Sequence, residues 1–146
     1  MKIQRQYAYP VPRPQLWSRL LDPDFLKESI PGCERLVVAP DNSYEVTLSV
    51  GVSVVRGRFN GVVKMLDIVV PESFRLVIEG RGTRGMVRGE AHVTMEERGQ
   101  ETIVDVKGEA QVGGVLARLG QRALVPVGTK LMDRFLGVSS AREKVE

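Results

Sequence analysis

From residue 33 onward, apolar and polar side chains alternate along the chain with a period of two. Residues 34–38 and 44–54 flank Asp41-Asn42-Ser43, which predicts a hairpin closed by a polar turn. In its second arm Tyr44, Val46, Leu48, Val50, Val52 and Val54 share one face, while Glu45, Thr47, Ser49 and Ser53 share the other. Residues 56–70 continue the alternation, Pro71-Glu72-Ser73 turns the chain, and Phe74, Leu76 and Ile78 resume it. Two long strands follow at residues 84–97 and 101–113, joined at Arg98-Gly99-Gln100. Residues 2–9 set Ile3, Arg5, Tyr7 and Tyr9 against Lys2, Gln4, Gln6 and Ala8, a strand that Pro10 and Pro12 end and that suits a sheet edge.

The period changes twice. In residues 16–34, Leu16, Leu20, Leu21, Phe25, Leu26 and Ile30 recur at helical spacing, broken at Asp22-Pro23. Proline disfavours helix in the residue before it, so one helix is expected to end near Asp22 and a second to begin at Pro23. Pro31-Gly32 then turns the chain into a strand. This two-helix wedge, which includes Trp17, is a candidate lid. In residues 115–137, Val115, Leu119, Ala123, Val127, Leu131 and Phe135 follow one another at four-residue spacing and predict a terminal helix. Such a stripe drifts by about 40° per step. Arg118, Arg122, Lys130 and Arg134 drift with it, so an apolar edge runs beside a basic one. Pro126 is expected to bend the helix. The basic edge is a candidate surface for an acidic partner protein or an anionic membrane.

Small residues crowd the apolar parity of three strands: Gly57 and Gly61 beside Phe59, Val63 and Met65; Gly85, Gly89 and Ala91 beside Val87, Val93 and Met95; Gly108 and Ala110 beside Val104, Val106 and Val112. Interiors pack to crystal-like density, so small inward residues are either matched by large neighbours or leave space. Aromatic residues make up only 5% of the chain. Glycine also lets a sheet curve. The two readings are curvature alone and an apolar ligand cavity.

Composition narrows the class. A chain of 146 residues is expected to form a single domain, residues 1–146, burying about 68–70% of its unfolded surface. The net charge of +3 is spread among interleaved acids and bases, which gives no nucleic-acid tract. No run approaches the ~20 apolar residues of a membrane helix, and no signal peptide precedes the first strand. One cysteine and one histidine supply neither a disulfide nor a structural zinc site, and a cytoplasmic protein without metal or cofactor is expected. Gly80-Arg-Gly82-Thr-Arg-Gly85 spells a dinucleotide fingerprint, but a strand follows it where a helix is required, so it reads as a turn. His92 sits on the polar parity, and Cys33 follows a helix-stopping turn with no base nearby in sequence and reads as a buried small hydrophobe. No catalytic constellation emerges.

Asp22-Pro23, Ile30-Pro31-Gly32-Cys33-Glu34, Val50-Gly51, Arg56-Gly57-Arg58-Phe59-Asn60-Gly61 and Gly113-Gly114-Val115-Leu116-Ala117-Arg118-Leu119-Gly120 together resemble the G-subunit family of carbon monoxide dehydrogenase, in order over nearly the whole chain. That family belongs to the START-like (SRPBCC) superfamily. The resemblance implies an α+β helix-grip fold: a curved seven-stranded antiparallel sheet wrapped around a long C-terminal helix, with two short helices after strand one. It also implies an accessory role for a molybdenum hydroxylase of the CO-dehydrogenase type, linked to the membrane and its quinone pool. Family members often continue into a membrane-associating tail, whereas this chain ends at Arg142-Glu-Lys-Val-Glu146 and tethering by such a tail is not expected. Peripheral contact at the inner face of the membrane remains part of the expectation.

The function expected is non-enzymatic carriage of an apolar small molecule, a lipid or isoprenoid quinone. Its cavity would be lined by Trp17, Phe25, Leu26 and Ile30 of the wedge and by Val50, Phe59, Met65, Leu76, Ile78, Val87, Gly89, Ala91, Val106, Gly108 and Ala110 of the sheet. Leu119, Ala123, Val127, Leu131 and Phe135 of the terminal helix would close it. The alternatives are a polyketide cyclase or dehydrase-like enzyme, which needs an inward acid, base or amide, and a pure interaction module using Arg118, Arg122 and Arg134. The inward parity offers only Thr102 as a polar group.

Overall fold

A computed structural model describes residues 1–137 of the chain. The final Arg142–Glu146 segment, on which the expectation about a tail rests, lies outside the described residues. The strands are β1 (Lys2–Tyr9), β2 (Cys33–Ala39), β3 (Ser43–Val52), β4 (Val55–Val69), β5 (Ser73–Gly82), β6 (Gly85–Arg98) and β7 (Glu101–Gly113). They form one antiparallel sheet in the order β1-β7-β6-β5-β4-β3-β2. Every neighbour is a sequence neighbour except β1, which closes onto β7 with Ile3 opposite Gly108 and Tyr7 opposite Val104.

The wedge forms as expected: α1 (Arg13–Leu20) and α2 (Pro23–Ser29) are separated at Asp22, whose carboxylate accepts from the Asp24 amide and caps α2. Gly32 makes the turn into β2 with φ of 72°, and its carbonyl accepts from Ser49 N at 2.8 Å. A Cβ here would stand 2.0 Å from the Ser49 carbonyl oxygen. Only glycine fits.

Two expectations need correction. The second hairpin arm stops at Val52, not Val54, because Ser53 takes a positive φ of 54° and turns the chain directly into β4 at Val55. The terminal helix is not continuous from 115 to 137. Gly114–Leu119 is a 3-10 turn, Gly120 has φ of 76°, α3 spans Gly120–Met132, and Asp133–Gly137 winds more loosely as a π turn. The tighter first segment and the left-handed glycine reset the helical phase. Consequently Val115 and Leu119 are exposed, and Leu116 and Leu124 take the buried positions instead.

Buried side chains gather in two clusters at opposite ends of the concave face. One joins Tyr9, Leu16, Trp17, Met65, Phe74, Val93, Met95, Val104, Val106 and Leu136; Trp17 meets Phe74 edge-to-face with centroids 5.5 Å apart. The other joins Val52, Val55, Leu116, Leu124 and Val127. Polar bonds from β1 fasten the end of the terminal helix. Tyr7 Oη donates to Asp133 Oδ1 at 2.6 Å, Arg5 grips the same carboxylate with Nε and Nη2, and Tyr9 Oη donates to the Leu136 carbonyl at 3.0 Å.

Candidate ligand site

Between the two clusters lies a belt belonging to neither. The register sets Val46 opposite Gly61, Gly61 opposite Gly80, Val63 opposite Ile78 and Ile78 opposite Gly89. It continues with Gly89 opposite Ala110 and Ile3 opposite Gly108. The belt therefore crosses the concave face from β3 to β1 on glycine, alanine, valine and isoleucine. Apart from Val46 its members are half-buried, although they face inward.

The glycines separate curvature from space. A Cβ on Gly61 would meet the Glu79 carbonyl oxygen at 2.7 Å, and one on Gly82 would meet the Phe59 ring at 2.8 Å. These two are required by close neighbours. Gly80 differs: beyond its chain neighbours, a Cβ would find only the Asn60 carbonyl oxygen, at 4.0 Å. Around Gly89 and Gly108 the nearest atoms all belong to the sheet itself. The centre of the concave face is thus floored by glycines that bring no side chain to fill it, while the open depressions of about 360 and 290 Å³ lie elsewhere, at the β5–β6 turn and beside Asn60 and Glu79.

The helix arches over this floor. At Gly128, α3 approaches β1 so closely that a Cβ would stand 2.7 Å from Ile3 Cδ1. Leu124, Val127 and Leu131 pack with Val50, Phe59, Val87 and Val112, and Met132, Phe135 and Leu136 pack with the other cluster.

The expected lining residues separate accordingly. Trp17, Met65, Val106 and Val127 are buried in the clusters; Trp17 in particular belongs to the core. Val50, Phe59, Leu76, Ile78, Val87, Gly89, Ala91, Gly108, Ala110, Ala123, Leu131 and Phe135 are half-buried, on or beside the belt. Phe25, Leu26 and Ile30 are half-buried on and just after α2, outside both clusters. Leu119 does not line the site. Arg118, Arg122, Lys130 and Arg134 are exposed. Sequence reasoning missed Leu116 and Leu124, which carry the helix's buried edge, and the phase break at Gly120 that moved it there.

Four polar side chains on the concave face, Thr102, Arg5, Tyr7 and Tyr9, are committed to protein partners, and Tyr44 packs half-buried against the first cluster. Thr102 is fully buried and donates to the Val11 carbonyl at 2.8 Å. Arg5, Tyr7 and Tyr9 share the inward parity, an extension of the single polar position expected, and all three bind the terminal segment. Burial, with the Asp133 hydrogen bond second, pushes the Tyr7 phenol up to about 12. Burial raises Tyr9 further. The Tyr7 hydrogen bond, with the Arg5 guanidinium, holds Asp133 below the usual carboxylate range. Cys33 is half-buried with its thiol 3.5 Å from the Arg35 carbonyl, and desolvation raises its pKa. His92 is exposed on the convex face. Gly80–Gly85 is a strand-turn-strand element, as its sequence predicts. The Ser29 hydroxyl of α2 is buried without a hydrogen-bond partner among the described residues.

A curved seven-stranded sheet holding a C-terminal helix across an apolar, glycine-floored space defines the helix-grip class of ligand-binding folds. Within that class, residues 7–141 match the CoxG family, described as the G subunit of carbon monoxide dehydrogenase, and the chain belongs to it. A conserved protein from Geobacillus kaustophilus is similar at 27% identity, with a TM-score of 0.90 over 94% of this chain and 91% of that one. TTHA0849 from Thermus thermophilus shares 13% identity and a TM-score of 0.69, over 94% and 92% of the two chains. The di-domain ARO/CYC StfQ of the steffimycin biosynthetic pathway shares 13% identity with a TM-score of 0.69; this chain is covered to 98% and spans 50% of that protein. The last two likenesses establish fold alone. No curated protein matches the sequence. Among the described residues, no helix is long and apolar enough to cross a membrane.

Proposed function

We propose that the protein carries one apolar small molecule, a lipid or an isoprenoid quinone, in the belt between sheet and terminal helix, as a non-enzymatic accessory to a molybdenum hydroxylase of CO-dehydrogenase type. The half-buried belt carries this reading, and above all the open space over Gly80. Apolar burial at about 25 cal/mol per Å² supplies the driving force. The flat floor of Gly80, Gly89 and Gly108 suits a slender chain or ring. The α2 segment, with Phe25, Leu26 and Ile30 outside the core, is the part that yields to admit it. The family description, which is that of one subunit of a larger enzyme, supports an accessory role. A cytoplasmic protein that meets the inner face of the membrane is the setting in which such a cargo is exchanged.

A cyclase would need a free acid, base or amide facing the belt. Thr102, Tyr7 and Tyr9 already donate to protein acceptors, and Arg5 is held by Asp133. Native mass spectrometry of gently purified protein tests the proposal. A co-purifying quinone or lipid of matching mass supports it, and a thermal shift with added isoprenoid quinone extends it. Clean apo-protein whose melting temperature no apolar ligand raises overturns it. The hydroxylase partner is tested separately, by co-purification of the two proteins from the native host.

A further inference from the structure

The two ends of the sheet carry opposite charge. One end gathers the β3–β4 turn, the β5–β6 turn and the 3-10 turn after β7. These form one surface: Leu116 N donates to the Arg84 carbonyl at 3.0 Å, and Val52, Val55 and Leu116 share a buried cluster beneath it. The sequence places no acid between Glu45 and Asp67, between Glu79 and Glu90, or between Glu109 and Asp133. Arg56, Arg84, Arg118 and Arg122 rise from these segments, exposed and without an ion-pair partner among the described residues. Arginines elsewhere on the sheet, such as Arg58, Arg75 and Arg88, are paired with Glu34, Asp67 and Glu79.

Apolar side chains stand among these cations. Val54 is 49% exposed, Met86 42%, Val115 54% and Leu119 37%. They occupy the apices of three separate segments. Between two of those segments lies an open depression of about 360 Å³, lined by Arg81, Thr83, Arg84, Gly85, Gly114 and Val115 among others. The opposite end, at the β2–β3, β4–β5 and β6–β7 turns, holds Asp41, Asp67, Glu72, Glu96, Glu97 and Glu101. It too exposes apolar residues, at Ile68, Val69 and Val70, but among acids.

We propose that the acid-free end is a docking surface for an anionic lipid bilayer. Val54, Met86, Val115 and Leu119 enter the boundary between headgroups and acyl chains, and Arg56, Arg84, Arg118 and Arg122 meet the phosphates around them. Charge complementarity names an anionic occupant. The apices argue for lipid over an acidic protein, since a fluid interface conforms to projecting points on three segments, whereas a folded partner needs a matched, continuous contact. Docking in this pose turns the acidic end away from the membrane. The basic surface expected from the sequence is thereby redrawn: Arg118 and Arg122 belong to it, and Lys130 and Arg134 on the later part of the terminal helix do not. The inference stands apart from the identity of any carried molecule.

Flotation with phosphatidylcholine vesicles, made with and without phosphatidylglycerol, tests it. Binding is expected only when phosphatidylglycerol is present, and is expected to weaken with added salt. Arg84→Glu with Arg118→Glu should reduce it by at least about fivefold per arginine. Val115→Ser with Leu119→Ser should reduce it with unchanged salt dependence. Lys130→Glu and Ile68→Ser should leave it within twofold of the parent. All these side chains are exposed, and circular dichroism verifies that each variant folds. No binding to either vesicle, equal binding to both, or insensitivity to the arginine and Val115/Leu119 variants overturns the proposal. An uncharged apolar fluorescent probe, N-phenyl-1-naphthylamine, measured on the same variants reports the belt separately. Failure of one reading is thus distinguishable from failure of the other.

Discussion

Tyr7 and Asp133 meet across 126 residues of sequence, phenol to carboxylate at 2.6 Å, and so tie the first strand to the end of the terminal helix. The bond is half-buried and continues into the bidentate Arg5 contact. Tyr7→Phe keeps the ring and removes only the donor. It should cost about 1 kcal/mol, read as a fall in melting temperature of about 2–4 °C. An unchanged melting temperature would show that the tie contributes nothing to the fold.

The same pair fixes two limbs of the pH–stability profile. Asp133 is more acidic folded than unfolded, so its stabilisation is complete above the unfolded value, about 3.9, and is lost as pH falls through the lower folded value. Tyr7 is shifted the other way, to about 12, so its stabilisation is complete below about 10 and is lost as pH rises toward the folded value. Urea unfolding midpoints across pH should show both limbs. Asp133→Asn should flatten the acid limb, and Tyr7→Phe should reduce the alkaline limb to the part that Tyr9, also raised by burial, supplies.

Gly80 offers the most direct probe of the belt. Gly80→Leu places a branched side chain in the space where only the Asn60 carbonyl approaches a Cβ. Because the volume is open, the melting temperature should hold or rise, while affinity for an apolar fluorescent probe should fall about tenfold or more. A variant that binds the probe as well as the parent would place the ligand elsewhere.

Gly32→Ala should behave oppositely. A left-handed φ alone costs on the order of 1–3 kcal/mol in a residue with a side chain, and the Ser49 carbonyl oxygen stands 2.0 Å from the new Cβ. Thermal unfolding should show a fall of at least about 4 °C. A neutral result would mean that the turn from α2 into β2 re-forms around the methyl group.

The strands were legible because the sheet is covered on one face and wet on the other, which prints a period of two from Tyr44 to Val112. The β3–β4 turn was not, because Val52-Ser53-Val54-Val55 lacks the Asn-Gly or Asp-Gly pair that usually supplies positive φ, and Ser53 adopts it instead. The terminal helix was legible as apolar spacing, but its phase depended on Gly120, a residue whose backbone alone decides where the stripe points. For the site, the sequence showed that small residues face inward. It could not distinguish Gly61, wedged against a carbonyl, from Gly80, which borders open space, since that difference arises between strands. The Arg5–Tyr7–Asp133 tie was beyond any local pattern for the same reason.

Placing β1 beside β7 also dictates an order of assembly. The meander from β2 to β7 grows by adding each strand to its immediate predecessor, so hairpins can form as the chain emerges. β1 is made first yet has no sheet partner until Glu101–Gly113 exists, and Tyr7 and Tyr9 wait longer still for Asp133 and Leu136. Contacts of such separation slow folding, and the first strand with its tyrosines remains exposed while the rest is synthesised. During synthesis, then, β1 is the strand left longest without a sheet partner, and its docking onto β7 completes the sheet.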